Sequence, residues 1–468
     1  MRLAAFLTKR QVETIHRGAL RVLAEVGVRV EHEAVRKRLT RAGGQCGAGQ
    51  AVRFPSKTVE RLIAEAPKRK PARARATVSA RVGVYGSRYL DPATDALLDF
   101  DEDRLGRYAA LARSMHHVQD TNILGVPFPV EGVPAAYQPL AEKLYAWKHG
   151  LRPGGSVLFT GLCEPLLEMF QCHAAAHGRS TEEVFAAAGY MISPLRLARP
   201  ECEQLLFFAE RGLRMWIGHL PSQGGTAPVS FAGAMVLALA EQLFLYLLSR
   251  SFWDQAELAL GGEVAVVDMR RGCTRYGRPE QQRTNAAFAD VARFYGCSCR
   301  GHTGGTDAKL PSHEAGAQKA AGALLTALAT GHGSISAGLL SMDEICSPVQ
   351  MVLDDDLTGG LKALLAGPVV DETECAFQEI LAAGPGGNHL GTEFTARRFR
   401  KCLYQPRTWS ADNLSAWQAV GRKADVDLAR EIVLDFERDF VAAACISPAE
   451  EKELQAIIRR AVQRELAS

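Results

Sequence analysis

The sequence predicts an α/β chain built as a (β/α)8 TIM barrel with an N-terminal α+β extension. Three observations lead there. Short apolar runs of strand length recur at 123–128, 156–161, 189–193, 215–219, 257–263, 295–302 and 333–338. Longer helical patterns lie between them, near 137–149, 164–177, 199–212, 227–250, 280–294 and 314–330, with another at 347–365. Strands alternating with helices of this length indicate parallel βαβ units. Seven strands are clear, and the eighth is expected in GPVVDET at 367–373. That count favours a closed barrel over an open sheet, and a chain of 468 residues holds a barrel with extensions.

The N-terminal elements follow from local signals. Thr8 and Gln11 have the spacing of a capping box. Val12, Ile15, Ala19, Val22 and Val26 then keep helical spacing until Gly27. Further helices are expected over 33–41 and 56–66, the second stopped by Pro67, with short strands in VGVRV and AVRF. TVSARVGVYGSRYLD reads as a β-rich link with turns at Gly86 and Asp91–Pro92. The expected division is an extension over 1–100, a barrel over 101–445 and a C-terminal helix over 446–468.

Composition narrows the function. Hydrophobic residues make up 47% and charged residues 23%, enough for a sizeable core. A net charge of +3 gives no field that argues for nucleic acid. The basic run KRKPARARA at 68–76 reads as a solvated linker. No apolar run is expected to span a membrane, and Met1 to Arg10 lacks a signal-peptide core, so the expected compartment is the cytoplasm. The eleven cysteines are unevenly spaced and suggest no disulfide framework.

Barrel sites gather at the C-terminal ends of the strands. Here those ends carry Phe128, Gly161, Ser193, His219, Glu263, His302 and Gly338. The most informative stretch is GHTGGTDAKLPSHEAG at 301–316, a glycine-rich loop opening a long helix, with Asp307 and Lys309 as catalytic candidates. Three glycine-bearing loops are expected to converge on one mouth, because each strips side chains from the backbone. They hold Gly224, Gly225 and Thr226; Gly304, Gly305 and Thr306; and Gly386, Gly387 and His389.

Other chemistries weigh less. Cys297, Cys299 and His302 are suitable zinc ligands by type, but strand parity turns His302 away from the cysteines, and no metal is expected. Lys309 as a Schiff-base nucleophile defines an alternative, a barrel lyase. GPGGNHLG and SQGGTAP match no phosphate-loop spacing.

The 301–316 loop resembles that of the trimethylamine methyltransferase (MttB-type) superfamily, whose wording is close to TDAK-x-P-D-x-QAG. PSQGGTAPVSFAGA at 221–234, VVDMRRGCTRYGRPE at 266–280 and AAGPGGNHLGTEFTARRFR at 382–400 resemble further motifs of that family, in order. LTKRQVETIHRGALRVLAEVGVRVEHE also reads like family members, so the resemblance covers about 7–440. It implies a barrel that moves a methyl group from a methylated amine to a cobamide held on a separate corrinoid protein. No tightly bound cofactor of its own is expected. The chain has only standard residues, which implies the branch without pyrrolysine, resembling glycine betaine methyltransferases.

A quaternary ammonium held for methyl transfer needs aromatic faces and negative charge. Tyr85, Tyr89, Phe128, Phe159 and Trp216 are the aromatic candidates, with Glu263 or Asp307 supplying charge. His219, His302, Arg270 and Arg300 are candidate partners for a substrate carboxylate. A homo-oligomer is expected. The chain departs from the family wording at 311–318, where PSHEAGAQ stands, and at 330–338, where TGHGSISAG stands. A barrel that binds a methylated amine without catalysis is therefore the second reading.

Overall fold

The computed structural model describes residues 3–68, 75–85 and 87–466. Most of the basic run and the turn residue Gly86 lie outside these. Eight parallel strands form the barrel: β1 (Thr77–Val84), β2 (Val118–Ile123), β3 (Arg152–Pro153), β4 (Ala188–Tyr190), β5 (Trp216–Gly218), β6 (Ala259–Gly261), β7 (Ser298–Arg300) and β8 (His332–Ala337). β1 pairs in parallel with both β2 and β8, so the ring closes on its first strand. β2 pairs with β3, β4 with β5, and β6 with β7. Ser156 bridges to Ala188 between β3 and β4. Beyond the ends of β5 and β6, Ser222–Gln223 pairs in parallel with Ala265–Val266.

The β7–β8 seam runs through the glycine-rich loop. Ser336 N–H donates to Gly304 O at 3.2 Å, and Thr303 Oγ1 donates to Ser334 O at 2.7 Å. Gly304 has φ +79°, and a Cβ there would lie 2.4 Å from both Ile335 Cα and Ser334 O. Only glycine lets the two backbones approach this closely.

The closing strand is not at 367–373, which is exposed and irregular after the helix Pro348–Ala366. It is β1, in residues expected to belong to the extension. Val78, Ala80, Val82 and Val84 are fully buried, but Ser79 and Arg81 alternate with them. That alternation imitates a half-exposed link. The barrel therefore starts at Thr77, inside the expected 1–100 unit.

Each strand is followed by a helix: Glu102–Ser114, Gln138–Lys148, Cys163–Ala176, Arg199–Ala209, Phe231–Phe252, Pro279–Tyr295, His313–Thr330 and Pro348–Ala366. Asp101, Ser230, Ser312 and Ser347 cap four of them through side-chain oxygens. Phe231–Phe252 is long and apolar enough to cross a bilayer, against the expectation of no such run. Its Leu239, Leu243, Phe244 and Leu247 are fully buried in the protein core, as are Glu241 and, nearly so, Gln242.

The extension packs against the barrel. Helix Lys9–Arg21 starts with the expected capping box and buries Val12, Ile15 and Ala19. Strand Val28–Val30 pairs in parallel with Arg196–Leu197. The N–H groups of Phe6 and Leu7 both donate to Asp290 Oδ2. At the other end, helix Asp425–Asp439 buries Ala429 and Val433, and helix Pro448–Leu466 buries Leu454, Ile457 and Ile458.

Candidate functional site

Aromatic side chains gather beyond the C-terminal ends of the strands. The β4–β5 register sets Tyr190 opposite Gly218, two residues from Trp216. The Tyr190 and Trp216 rings therefore meet diagonally, edge to face, with centroids 5.4 Å apart. Trp216 lies over Gly218, where a Cβ would be 2.2 Å from its ring. Tyr85 follows β1, and Tyr276 follows the short strand Cys273–Arg275. Both lie within electrostatic reach of Tyr190, and of each other. Burial pushes the Tyr276 phenol up to about 12 and the Tyr85 phenol higher still, so both stay neutral near pH 7. His302 packs edge-to-face on Tyr276 at 4.8 Å, and its Nδ1 is 2.8 Å from Gln281 Nε2. Burial lowers the His302 pKa and favours neutral imidazole.

Two carboxylates face these rings. Asp343 is within reach of Tyr85 and Tyr276, and Glu263 within reach of Tyr190. Burial raises the Asp343 carboxyl to about 6, opposed by Lys319. Burial also raises Glu263, opposed by His219 and Arg300. For both, burial outweighs the pull of the neighbouring cationic groups.

Asp343 sits in an unusual turn. Ser341, Met342 and Asp343 have φ of 52°, 58° and 72°, three consecutive left-handed residues without glycine. Such backbone is costly and persists where surroundings over-determine it. The glycine-rich loop does this: Ser341 N–H donates to Ala308 O at 2.7 Å and Met342 N–H to Thr306 O at 3.0 Å. Gln318 in turn accepts from Thr306 Oγ1 and from Asp307 N–H. Below it, Lys319 and Asp354 form a fully buried pair at 2.5 Å, and Lys319 also donates to Ser336 O at 2.9 Å.

His219 is buried just past β5. Its Nδ1 lies 2.9 Å from Glu241 Oε2, while its buried Nε2 has no hydrogen-bond partner among the described residues. Glu241 also accepts from Ser193 Oγ at 2.8 Å and Leu195 N–H at 2.9 Å.

These positions divide the residues expected from sequence. Tyr85, Trp216, His219, Glu263 and His302 come together. Asp307 borders them, accepting from Tyr276 N–H at 3.0 Å and lying 3.2 Å from Arg278 Nε. Lys309 does not reach the mouth: it is exposed, and its Nζ donates to Asp307 O at 2.7 Å. Tyr89 is a core residue, edge-to-face with Phe100 and bonded to Glu437. Phe128 packs on Tyr145, and Phe159 on Tyr137, each against a barrel helix or its approach. Arg270 is exposed in the turn that Asp268 caps, whereas Arg300 stands within reach of Glu263.

The loops at Gly224–Thr226 and Gly304–Thr306 follow β5 and β7 on the mouth side. Gly386, Gly387 and His389 follow no barrel strand and are fully exposed; a Cβ at Gly386 meets nothing within 4 Å. Gly387 is needed only for its own helix end, where a Cβ would strike Ala383 O. Cys297 is a half-buried thiol whose desolvation pushes it up to about 12, and burial raises Cys299 as well, while His302 is bonded to Gln281. Sequence reasoning missed Tyr190, Tyr276 and Asp343. The first two stood inside segments already noted, and Asp343 had no motif to mark it. The cavity of about 570 Å³ lined by Glu164, Gln171, Thr181 and Arg211 contains none of these residues.

These elements define an α/β barrel whose strand-end mouth, aromatic and acidic, is a candidate small-molecule site. The chain belongs to the trimethylamine methyltransferase (MTTB) family, whose model matches residues 1–465. It is 29% identical to the trimethylamine methyltransferase MttB of Methanosarcina barkeri over 272 residues, 58% of this chain and 54% of that protein. The match thus spans about half the length of that relative. It is 26% identical to the glycine betaine methyltransferase of Desulfitobacterium hafniense (strain Y51) over 439 residues, 88% of this chain and 90% of that one. The solved monomethylamine methyltransferase of Methanosarcina barkeri matches over 91% of this chain and 94% of that one, at 12% identity and a TM-score of 0.45. That last likeness is too distant to bear on the site.

Proposed function

We propose that the mouth binds a methylated, quaternary amine and presents one methyl group to a corrinoid carried by a separate protein. The observation that carries this reading is the grouping of Tyr85, Tyr190, Trp216 and Tyr276 with two carboxyls, Glu263 and Asp343, raised by burial. Aromatic faces attract a cation that has no N–H to donate, and the carboxylates supply the countercharge. Family membership and the names of the relatives support the same chemistry.

A corrinoid, when docked, supplies the Co(I) nucleophile. Half the surface of Tyr190 and of Trp216 is exposed, which fits a mouth open to a second protein. This chain's task is then positioning. The rings fix the nitrogen, Asp343 and Glu263 hold its charge, and the glycine-rich loop keeps Asp343 in place. A quaternary nitrogen leaves without a proton, so the neutral His302 and the neutral tyrosines are not required as acids. Arg300 is the cation near Glu263 that a carboxylate-bearing amine would meet. The exposure of Lys309 counts against the lyase alternative, because a Schiff-base lysine is activated by desolvation.

The test is incubation of the purified chain with Co(I) cobalamin and a panel of quaternary and tertiary amines. Conversion to methylcobalamin with a quaternary amine supports the reading. Calorimetric binding without conversion would replace it with the binding-protein reading. Borohydride trapping of a carbonyl substrate on Lys309 would replace it with the lyase.

A further inference from the structure

Far from the mouth, on the outer helix layer, two imidazoles and one carboxylate converge. His173 and His177 are one turn apart on helix Cys163–Ala176 and its C-cap. Glu450 lies in the first turn of helix Pro448–Leu466. His173 Nδ1 is 2.7 Å from Glu450 Oε1, and His177 Nε2 is 3.2 Å from Glu450 Oε2. All three donor atoms lie within 4.8 Å of one another, and among the described residues this is the only such His, Cys, Asp or Glu group. We propose that His173, His177 and Glu450 form a zinc-type divalent-cation site that ties the C-terminal helix to the barrel.

Four features point to a cation rather than to a plain ion pair. The histidines have the i, i+4 spacing that puts two ring nitrogens on one helix face, as in helical zinc sites. The Glu450 carboxylate is nearly fully buried, at 2% exposure, yet each of its oxygens faces an imidazole nitrogen. The two rings have centroids 4.4 Å apart, so with the carboxylate they turn three ligand atoms toward one point. The ligands are also oriented. Trp147 stacks on His173 at 4.2 Å with an interplanar angle of 8°, and Ser447 Oγ accepts from Glu450 N–H at 3.1 Å. Zinc bonds of about 2.0–2.2 Å set neighbouring ligand atoms somewhat over 3 Å apart, a spacing that lies between the 2.7 and 3.2 Å contacts and the 4.8 Å span of the group. His177 has 40% of its side chain exposed, which leaves the fourth position on the solvent side. Nitrogen and oxygen donors with an open fourth position suit Zn(II) or Co(II), and the hard ions Ca(II) and Mg(II) far less.

The experiment uses the full chain without an affinity tag, stripped with chelator and titrated with Co(II) alone. The expected result is one equivalent bound at micromolar or tighter affinity, with visible bands of a four- or five-coordinate N/O site. Zn(II) should displace it and raise the melting temperature by several degrees. His177→Ala changes an exposed side chain and should fold normally while losing both effects; Glu450→Gln, which keeps the size, should lose them too. Zn(II) should also slow proteolytic release of the C-terminal helix in the wild-type chain only. Absence of stoichiometric binding overturns the proposal. So does binding undiminished in His177→Ala, or a thiolate-to-cobalt charge-transfer band that survives that substitution and so marks the free cysteines instead.

Discussion

His219 Nδ1 lies 2.9 Å from Glu241 Oε2, and both side chains are buried. The same carboxylate holds Ser193 Oγ and Leu195 N–H, so one buried acid organises the loop after β4 and the residue after β5. Glu241→Ala leaves these donors unpaired. We expect a loss of about 3–5 kcal/mol of stability, measured as a shift in the urea midpoint at unchanged slope. Glu241→Gln keeps one acceptor and should lose about half of that.

Asp343 gives the site a pH dependence whose sign is fixed. Its carboxyl is raised to about 6 in the fold, from an ordinary value of 3.8. A bound cation favours the carboxylate. Affinity for a quaternary amine should therefore be full above about pH 7 and fall as pH drops through 6, with proton release on binding between pH 4 and 6. Asp343→Asn should flatten this profile in calorimetric titrations across that range.

The same shift acts on stability in the opposite direction. Because the folded pKa is raised, the carboxyl binds its proton more tightly folded than unfolded, and the fold loses stability as pH rises from about 4 to 6. Asp343→Asn should nearly match the wild type at pH 4 and exceed it by about 3 kcal/mol at pH 8. Denaturant melts at both pH values check this.

Much of the scaffold was legible because periodicity is local. The helix at 33–41 and the starts of the helices near 279 and 313 match the pattern within a residue or so. β1 was hidden by Ser79 and Arg81, since this barrel strand pairs with residues 255 positions away that local pattern does not reveal. Of the four grouped rings, Tyr85 and Trp216 were among the aromatic candidates that the sequence placed near the rim. Tyr276 and Asp343 were not, because their place depends on hydrogen bonds from the loop after β7 to the loops after β6 and β8. The run Asp354–Asp356 shows the same limit. Three consecutive acids normally mean a solvated face, yet all are buried here. Asp354 takes Lys319, Asp355 takes the His117 N–H and Arg407, and Asp356 takes Thr408.

Lys319 and Asp354 are each wholly inaccessible to solvent, and Asp354 also accepts from Gly338 N–H at 2.9 Å. Removing one partner leaves a buried unpaired charge. Lys319→Ala should cost about 3–5 kcal/mol, whereas the double change Lys319→Met with Asp354→Leu should cost much less. A double-mutant cycle by chemical denaturation separates these outcomes.

Tyr190 and Trp216 are the rings most open to a ligand, and they touch each other as well. Each aromatic face contributes about 0.5–2 kcal/mol toward a cation, which is about 2- to 30-fold in affinity. Trp216→Ala should weaken a quaternary amine by at least that much and its neutral carbon isostere far less. Equal losses for both would mean that Trp216 supplies only apolar contact.

Asp307 and Lys309 separate a catalytic loop from a supporting one. Asp307 holds Tyr276 N–H and faces Arg278, whereas Lys309 only reaches back to the Asp307 carbonyl from solvent. If the loop supports the mouth, Asp307→Ala lets Tyr276 move and raises KM for the amine, with a smaller change in kcat. Removing the exposed Lys309 as Lys309→Ala should change stability by no more than about 0.5 kcal/mol. It should leave methyl transfer within about twofold of wild type. The two substitutions are compared in one steady-state assay against Co(I) cobalamin. A collapse of kcat in Lys309→Ala, with KM unchanged, would make that lysine a participant in the chemical step and return the loop to a catalytic role.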